Sequence, residues 1–156
     1  MASKRILKEL DIYYKSPSTS VSHLAPASDS DLFNLSATLA GPAGTPYETG
    51  LFKLTIALPS TYPNAPPVLL FSPQTPCCHP NVNFKTGEIC LDLLKQSWTP
   101  AYGIVSTLEA VGMLLQSGGD AESPLNLEVA KLVREGDEVG RDSLVRFMTR
   151  TYAVGR

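Results

Sequence analysis

The centre of this chain is an uncharged stretch that is rich in proline. No Asp, Glu, Lys or Arg occurs in residues 54–84, yet seven of the thirteen prolines fall within these limits. A run of this length without charge is long enough for a membrane helix, but proline removes a backbone donor and breaks helix interiors. The stretch is therefore not expected to span a membrane.

Composition is typical of a folded protein with reduced cysteines. The chain has 156 residues, 43% of them hydrophobic, and a net charge of −2. It is too apolar and too weakly charged to be disordered, and its length predicts one domain over residues 1–156. The lack of a basic excess argues against nucleic acid as the main partner. No apolar run follows the basic start at residues 1–5, so we expect no signal peptide and a cytosolic or nuclear location.

Hydrophobic periodicity predicts a helix, a sheet, a long loop and further helices, in that order. Helical spacing predicts a first helix over residues 2–15, and alternation predicts strands. The predicted strands are 21–24 (the weakest), 32–39, 51–58 and 68–71. Residues 73–102 show no period, which is unusual in a compact domain and usually marks function. Helices are predicted at 104–116, 125–134 and 138–152. The fold class is therefore α+β with an antiparallel meander sheet.

Two aromatic features have competing interpretations. The last predicted helix carries a wide apolar arc that includes Phe147 and Tyr152. Such arcs usually face a core, so we expect core packing, with the docking of a partner as the alternative. The lone Trp98 is expected to anchor packing rather than to bind a ligand.

Several motifs in and around the aperiodic segment occur in a specific order. They are Tyr62-Pro63-Asn64-Ala65-Pro66-Pro67, Cys78-His79-Pro80-Asn81, Ile89-Cys90-Leu91-Asp92 and Trp98-Thr99-Pro100-Ala101. In this order they resemble the ubiquitin-conjugating enzyme family, over nearly the whole chain. The resemblance implies the ubiquitin-conjugating fold: an N-terminal helix, a four-stranded antiparallel meander, a long active-site loop and C-terminal helices. The last third, with Ser123-Pro124-Leu125-Asn126, is similar to the peroxisomal branch of that family.

The resemblance makes Cys90 the ubiquitin acceptor. An activating enzyme, which consumes ATP, would pass ubiquitin to Cys90 as a thioester. A RING-type ligase would then bring a substrate whose amine or thiol attacks that thioester. A thiolate suits a carrier because it is both a good nucleophile and a good leaving group. Asn81 would stabilise the oxyanion or order the loop, His79 and Pro80 would shape the loop, and this chain would need no cofactor.

The carboxylates near the expected site depart from the family pattern. Ser123 stands where the family usually places an acidic residue that helps to deprotonate the incoming amine, and Asp120 or Glu122 could replace it. A site weak in amine deprotonation would favour a thiol acceptor, because thiols ionise more easily than lysine. Asp92, two residues after Cys90, is expected to cap a loop.

Two further departures concern spacing and the ligase surface. Asn81 precedes Cys90 by nine positions, one more than the commonest family spacing, with the extra residue expected at 84–85. Asn64 stands where many members carry a Phe that packs on RING ligases.

The resemblance also implies partners. Lys4, Arg5 and Lys8 match the helix that meets the activating enzyme and the ligase, although by themselves they would be an ordinary solvated face. Asn64, Pro100 and Ala101 match ligase-binding positions. The peroxisomal branch implies a membrane-anchor peroxin that recruits the enzyme to the cytosolic face of the peroxisomal membrane, and an import receptor as the substrate to be recycled.

Other interpretations remain open. They are a conjugating enzyme of another pathway, a carrier for another ubiquitin-like modifier and a family variant that only binds ubiquitin. Such variants lack the acceptor cysteine, so Cys90 argues against the last. Cys77, Cys78, His79 and Cys90 could be taken as zinc ligands, but structural zinc sites use pairs separated by two to four residues. We therefore expect no metal, and we expect Cys77 or Cys78 to be a buried small hydrophobe.

Overall fold

A computed structural model of the chain describes residues 1–154, except for the side chains of Leu93 and Lys95. Helix α1 (Ala2–Lys15) precedes strands β1 (Val21–Ser28), β2 (Asp31–Ala40), β3 (Leu51–Ala57) and β4 (Val68–Phe71). Helices α2 (Asp92–Lys95), α3 (Ile104–Ser117), α4 (Leu127–Arg134) and α5 (Glu138–Tyr152) follow. Within residues 1–154, none of the helices has both the length and the apolar character that crossing a bilayer requires.

The four strands form one antiparallel sheet in the order β1-β2-β3-β4, as the short connections predict. In β3, Phe52, Leu54 and Ile56 are buried, and every intervening residue is exposed. The register places Phe52 opposite Leu39 of β2 and Leu54 opposite Phe71 of β4. One face of the sheet is therefore continuously apolar.

The core lies between this face and two helices. The apolar residues that α1 and α3 bury in it are Ala2, Ile6, Leu10 and Tyr13 from α1 and Ile104, Leu108, Val111 and Leu115 from α3. Helical spacing predicts most of these positions, but Leu7 and Tyr14, which lie on the predicted apolar arc of α1, are exposed. The two long helices begin and end close to the predicted residues.

Strand β1 is longer than predicted because a bulge interrupts its alternation. Val21 and Leu24 are both buried although they are three residues apart, and the register with β2 shifts between Ser22 and Ala25. His23 lies in this bulge with φ = 56°. The strand continues past Pro26, which is tolerated because β1 lies at an edge of the sheet.

Two helices differ from the prediction. The aperiodic segment contains α2, which is only four residues long and too short to show a period. Helix α4 begins at Leu127, two residues later than predicted. The reason is that the N–H groups of Leu125 and Asn126 both donate to the carbonyl of Pro80, at 2.8 and 3.2 Å. The Asn126 side chain then caps the helix by accepting from the Val129 N–H.

The core packing predicted for Phe147 is wrong. Helix α5 buries Val145 and Thr149, and Phe147 is 63% exposed. At about 100° per residue, Phe147 lies roughly 200° around the helix from Val145, on the opposite side. Tyr152 is also partly exposed, and its ring packs edge-on against Phe84 with a centroid distance of 5.8 Å.

Candidate active site

Cys90 lies at one end of a small hairpin formed by residues 81–90. Its N–H donates to the carbonyl of Asn81 at 2.9 Å, and Val82 pairs with Ile89. Asn81 and Cys90 therefore face each other across the hairpin despite the nine positions between them. Residues 84–85, where the sequence predicts the extra residue, lie in the turn, and the Asn83 side chain accepts from the N–H groups of residues 85 and 86.

The hairpin is fixed to the edge of the sheet. The Phe71 N–H, at the end of β4, donates to the carbonyl of Gly87 at 3.0 Å, and Leu70 pairs with Glu88. Gly87 has φ = 78°, and a Cβ at this position would collide with the Phe71 carbonyl. Only glycine combines this conformation with so close an approach.

The side chain of Asn81 is fully engaged with the loop before α4. Its Nδ2 donates to the carbonyls of Asp120 (2.8 Å) and Ser123 (3.2 Å), and its Oδ1 accepts from the Asp120 N–H at 2.7 Å. The residue is only 3% exposed. In this conformation both amide hydrogens hold the loop, and neither is available to an oxyanion.

His79 is a buried, neutral residue that connects the chain at residues 79–81 to helix α3. Its Nδ1 accepts from the Asn81 N–H at 3.0 Å, which assigns the proton to Nε2 and makes Nε2 the donor to the Leu114 carbonyl at 3.1 Å. Burial lowers the pKa of His79 to about 4. Both ring nitrogens are thus occupied, and the ring is uncharged at neutral pH.

The three cysteines, all within the described residues, differ in exposure. Cys77 and Cys78 are buried, and Cys90 is partly exposed. Burial raises the pKa of the Cys77 thiol well above its ordinary value and that of Cys78 to about 11, with Glu128 adding to the second effect. Both buried thiols stay protonated at neutral pH, which leaves Cys90 as the candidate nucleophile. Among residues 1–154, no group of three His, Cys, Asp or Glu side chains could hold a metal ion.

The carboxylates near this site take local structural positions. Asp92 is the first residue of α2, whose N-cap is Leu91. The Asp120 carboxylate accepts from the Glu122 N–H at 2.8 Å. Glu122 and Ser123 are exposed.

The residues expected to bind partners lie on a second surface, where α1 meets two loops. Arg5 Nη2 donates to the carbonyls of Pro100 and Tyr102, both at 2.9 Å. Trp98 Nε1 donates to the carbonyl of Pro63, which precedes Asn64, at 2.9 Å. These bonds bring α1 and the segments around residues 64 and 100 into one surface.

The side chains of this second surface differ in their surroundings. Lys4, Lys8, Asn64, Pro100 and Ala101 are exposed. Arg5 is only 31% exposed and pairs with Glu9 at 3.0 Å, so it is not the solvated cation that the sequence alone suggests. The Trp98 ring packs between Tyr62 and Tyr102, with centroid distances of 6.0 and 5.9 Å, which confirms the predicted packing anchor.

Comparison with known proteins decides the family. A model of the ubiquitin-conjugating enzyme family matches residues 5–147. The chain belongs to the ubiquitin-conjugating enzyme family. The relatives of this ubiquitin-conjugating enzyme include the enzyme E2 pex4 of Dictyostelium discoideum, 48% identical over 83% of this chain and 85% of the relative. Protein PEROXIN-4 of Arabidopsis thaliana is 42% identical over 81% of this chain and 78% of its own.

A solved structure of a conjugating enzyme has the same fold. The ubiquitin-conjugating enzyme Pex4p of H. polymorpha, crystallised in complex with the soluble domain of Pex22p, superposes with a TM-score of 0.90. It is 34% identical, and the match covers 99% of both chains. The ubiquitin-conjugating fold predicted from the sequence is therefore confirmed.

Sequence reasoning assigned no role to two residues that shape this ubiquitin-conjugating enzyme. Glu9 bonds to Arg5, Tyr62 and Ile104, and only the spacing of four between Arg5 and Glu9 indicated any part of that network. Gly87 allows the hairpin to approach β4. A glycine in a loop indicates a turn, but nothing in the sequence shows which strand the turn touches.

Proposed function

We propose that this protein accepts ubiquitin as a thioester on Cys90 and transfers it, with a RING-type ligase, to an acceptor protein. One observation carries the assignment: Cys90 is the partly exposed cysteine and pairs with Asn81, whereas Cys77 and Cys78 are buried thiols. A binding-only variant would not need this arrangement.

The chemistry consists of two acyl transfers that need no cofactor on this chain. In the first, the Cys90 thiolate attacks the ubiquitin thioester of the activating enzyme, a new C–S bond forms, and the enzyme's thiolate leaves. In the second, the amine or thiol of the acceptor attacks, and the Cys90 thiolate leaves. ATP is consumed by the activating enzyme.

Asn81 acts in this proposal mainly by ordering the loop at 118–123. Its two amide hydrogens already bond to the carbonyls of Asp120 and Ser123. Contact with an oxyanion would require one of these bonds to open during transfer. His79 bonds to Leu114, which precedes this loop, and Pro80 accepts from the N–H groups of Leu125 and Asn126, which follow it.

The names of the relatives support a place in the peroxisomal pathway. One relative is named PEROXIN-4, and a structural relative was solved with the soluble domain of Pex22p. We extend this to the present chain: a Pex22-like membrane-anchor peroxin recruits it to the cytosolic face of the peroxisome, where it modifies an import receptor for recycling. Residues 1–156 form the single catalytic core domain of this enzyme.

A charging assay tests the carrier function. Purified protein is mixed with activating enzyme, ATP and ubiquitin, and the products are separated with and without reductant. We expect a reductant-sensitive adduct with the wild type and with Cys77→Ala and Cys78→Ala. Cys90→Ser should abolish it or replace it with an ester that resists reductant.

Two results would contradict the carrier function. One is a reductant-sensitive adduct that persists in Cys90→Ser. The other is the absence of any adduct with folded wild-type protein. Repeating the assay with other ubiquitin-like modifiers and their activating enzymes separates this function from its closest alternative.

A further inference from the structure

The side chain of Glu9 joins three separate parts of the fold. Its Oε2 accepts from the Tyr62 hydroxyl at 2.5 Å and from Arg5 Nε at 3.0 Å, and its Oε1 accepts from the Ile104 N–H at 2.8 Å. Ile104 is the first residue of α3, and the first N–H groups of a helix have no partner within it. Glu9 therefore connects α1 with the start of α3 and with the loop between β3 and β4.

Gly103 leaves room for the Glu9 carboxylate because it has no side chain. A Cβ at this position would collide with Glu9 Oε1, although the backbone at Gly103 is extended and would accept other residues. The Glu9 side chain is only 15% exposed, so solvent screens its charge weakly. A carboxylate at the positive end of α3 is also favourable.

Arg5 extends the network to the exposed segment at residues 98–102. Its Nη2 bonds to the carbonyls of Pro100 and Tyr102, and its guanidinium carbon lies 5.9 Å from the centre of the Tyr62 ring. One planar side chain thus bonds to Glu9 and to two carbonyls, which an ammonium group cannot reproduce. These bonds hold the backbone of the segment, and the residues Pro100 and Ala101 are exposed.

We infer that Arg5 and Glu9 are positioning residues: they fix the 98–103 segment in the shape that a RING-type ligase recognises. The inference rests on the proposed function, in which a RING-type ligase takes part, and on the ligase-binding positions that the sequence predicts at Pro100 and Ala101. It separates Arg5 from its neighbours Lys4 and Lys8, whose exposed charges can meet a partner directly. Arg5 acts through the geometry of the segment and not as a free charge.

The test uses Arg5→Lys, Arg5→Gln and the purified ubiquitin thioester. A RING domain that accelerates discharge of the wild-type thioester is titrated into each variant. We expect both variants to raise the RING concentration for half-maximal discharge by about tenfold, because charge-assisted hydrogen bonds are lost in both. Lys15→Gln, which removes one charge from the exposed Asp11–Lys15 pair of the same helix, should behave as wild type.

A second measurement does not depend on ubiquitin. Amide hydrogen exchange should be faster by about tenfold or more at Ile104 in Glu9→Ala, because Glu9 accepts from that N–H. In Arg5→Lys, the amide resonances of residues 98–103 should shift more than those of the sheet.

The possible outcomes separate the two proposals. If Arg5→Lys binds the RING domain as the wild type does, charge alone matters and the positioning role is wrong. It is also wrong if the exchange of Ile104 does not change in Glu9→Ala. If the wild type accepts no ubiquitin on Cys90, the proposed function fails, and the exchange data still decide whether Glu9 holds the start of α3.

Discussion

At the scale of single residues, Ser123 connects the position of a loop to the choice of acceptor. Its carbonyl accepts from Asn81 Nδ2, and the Asn81 carbonyl accepts from the Cys90 N–H, so two hydrogen bonds link Ser123 to the proposed acceptor cysteine. Serine cannot act as an anionic base, and the Asp120 carboxylate is engaged by the Glu122 N–H. A lysine amine, with an ordinary pKa of about 10.4, needs a base to remove its proton. A thiol, with an ordinary pKa of about 8.5, ionises more easily.

We therefore predict that Ser123→Asp accelerates discharge of the Cys90 thioester to free lysine by about tenfold or more, which is less than the ~10²–10⁴-fold of a fully positioned general base. Discharge to free cysteine should change by less than about twofold, because the thiolate forms without a base. Ser123→Asn, which has a similar size and no charge, is the matched control. Unchanged lysine discharge in Ser123→Asp, or an equal gain in Ser123→Asn, would remove the argument for a thiol acceptor.

At the scale of elements, the hairpin at 81–90 depends on its contact with β4. Gly87 and Gly136 both have positive φ, 78° and 70°. A Cβ at Gly136 would enter open space, whereas one at Gly87 would collide with the Phe71 backbone. The two glycines thus share a conformational requirement and differ in packing.

We predict that Gly136→Ala lowers the free energy of unfolding by about 1 kcal/mol, the cost of a left-handed alanine. Gly87→Ala should lower it by about 3 kcal/mol or more, because the backbone must also move away from Phe71. Urea denaturation of both variants measures the difference. Equal losses would show that the hairpin tolerates displacement from β4.

At the scale of the whole molecule, His79 makes stability depend on pH. Its pKa is about 4 in the folded protein and about 6.5 in an unfolded chain. The unfolded state therefore takes up a proton below pH 6.5 that the native state does not bind. Stability is complete above about pH 6.5 and falls towards pH 4, by about 3 kcal/mol in all.

The prediction is checked by urea denaturation at several pH values between 4 and 7. In His79→Gln, the free energy of unfolding should be lower at pH 7, and the difference from wild type should shrink as the pH falls. A constant difference between His79→Gln and wild type over this range would show that His79 is not the titrating group.

Most of the fold could be predicted because it is built from local periodicity. Alternation in β3 and helical spacing in α3 identify both elements, since each pattern reflects one buried face. The bulge at His23 could not be predicted, because a single left-handed residue shifts the pattern without any sequence signal. Phe147 shows a similar limit: an apolar arc does not say which part of it faces the core.

The candidate site was predictable in its residues but not in its bonds. The motifs identify Asn81 and Cys90, yet the partners of Asn81 lie 39 and 42 residues further along the chain. The carbonyl of Pro100 lies 95 residues from Arg5, to which it bonds. Such bonds between side chains and distant backbone groups leave no period in the sequence, so only the folded chain shows them.

The pairing of Asn81 with Cys90 and of Val82 with Ile89 has a consequence for how the length of the hairpin turn can vary. Asn81 and Cys90 are paired below the Val82–Ile89 bridge, and residues 84–85, where the sequence predicts the extra residue, lie above it. The turn can therefore gain or lose a residue during evolution without changing the alignment of the two residues beneath it. The same freedom makes position 85 a suitable attachment point for a fluorescent reporter, five residues from the proposed acceptor cysteine and outside the bonds that pair Cys90 with Asn81.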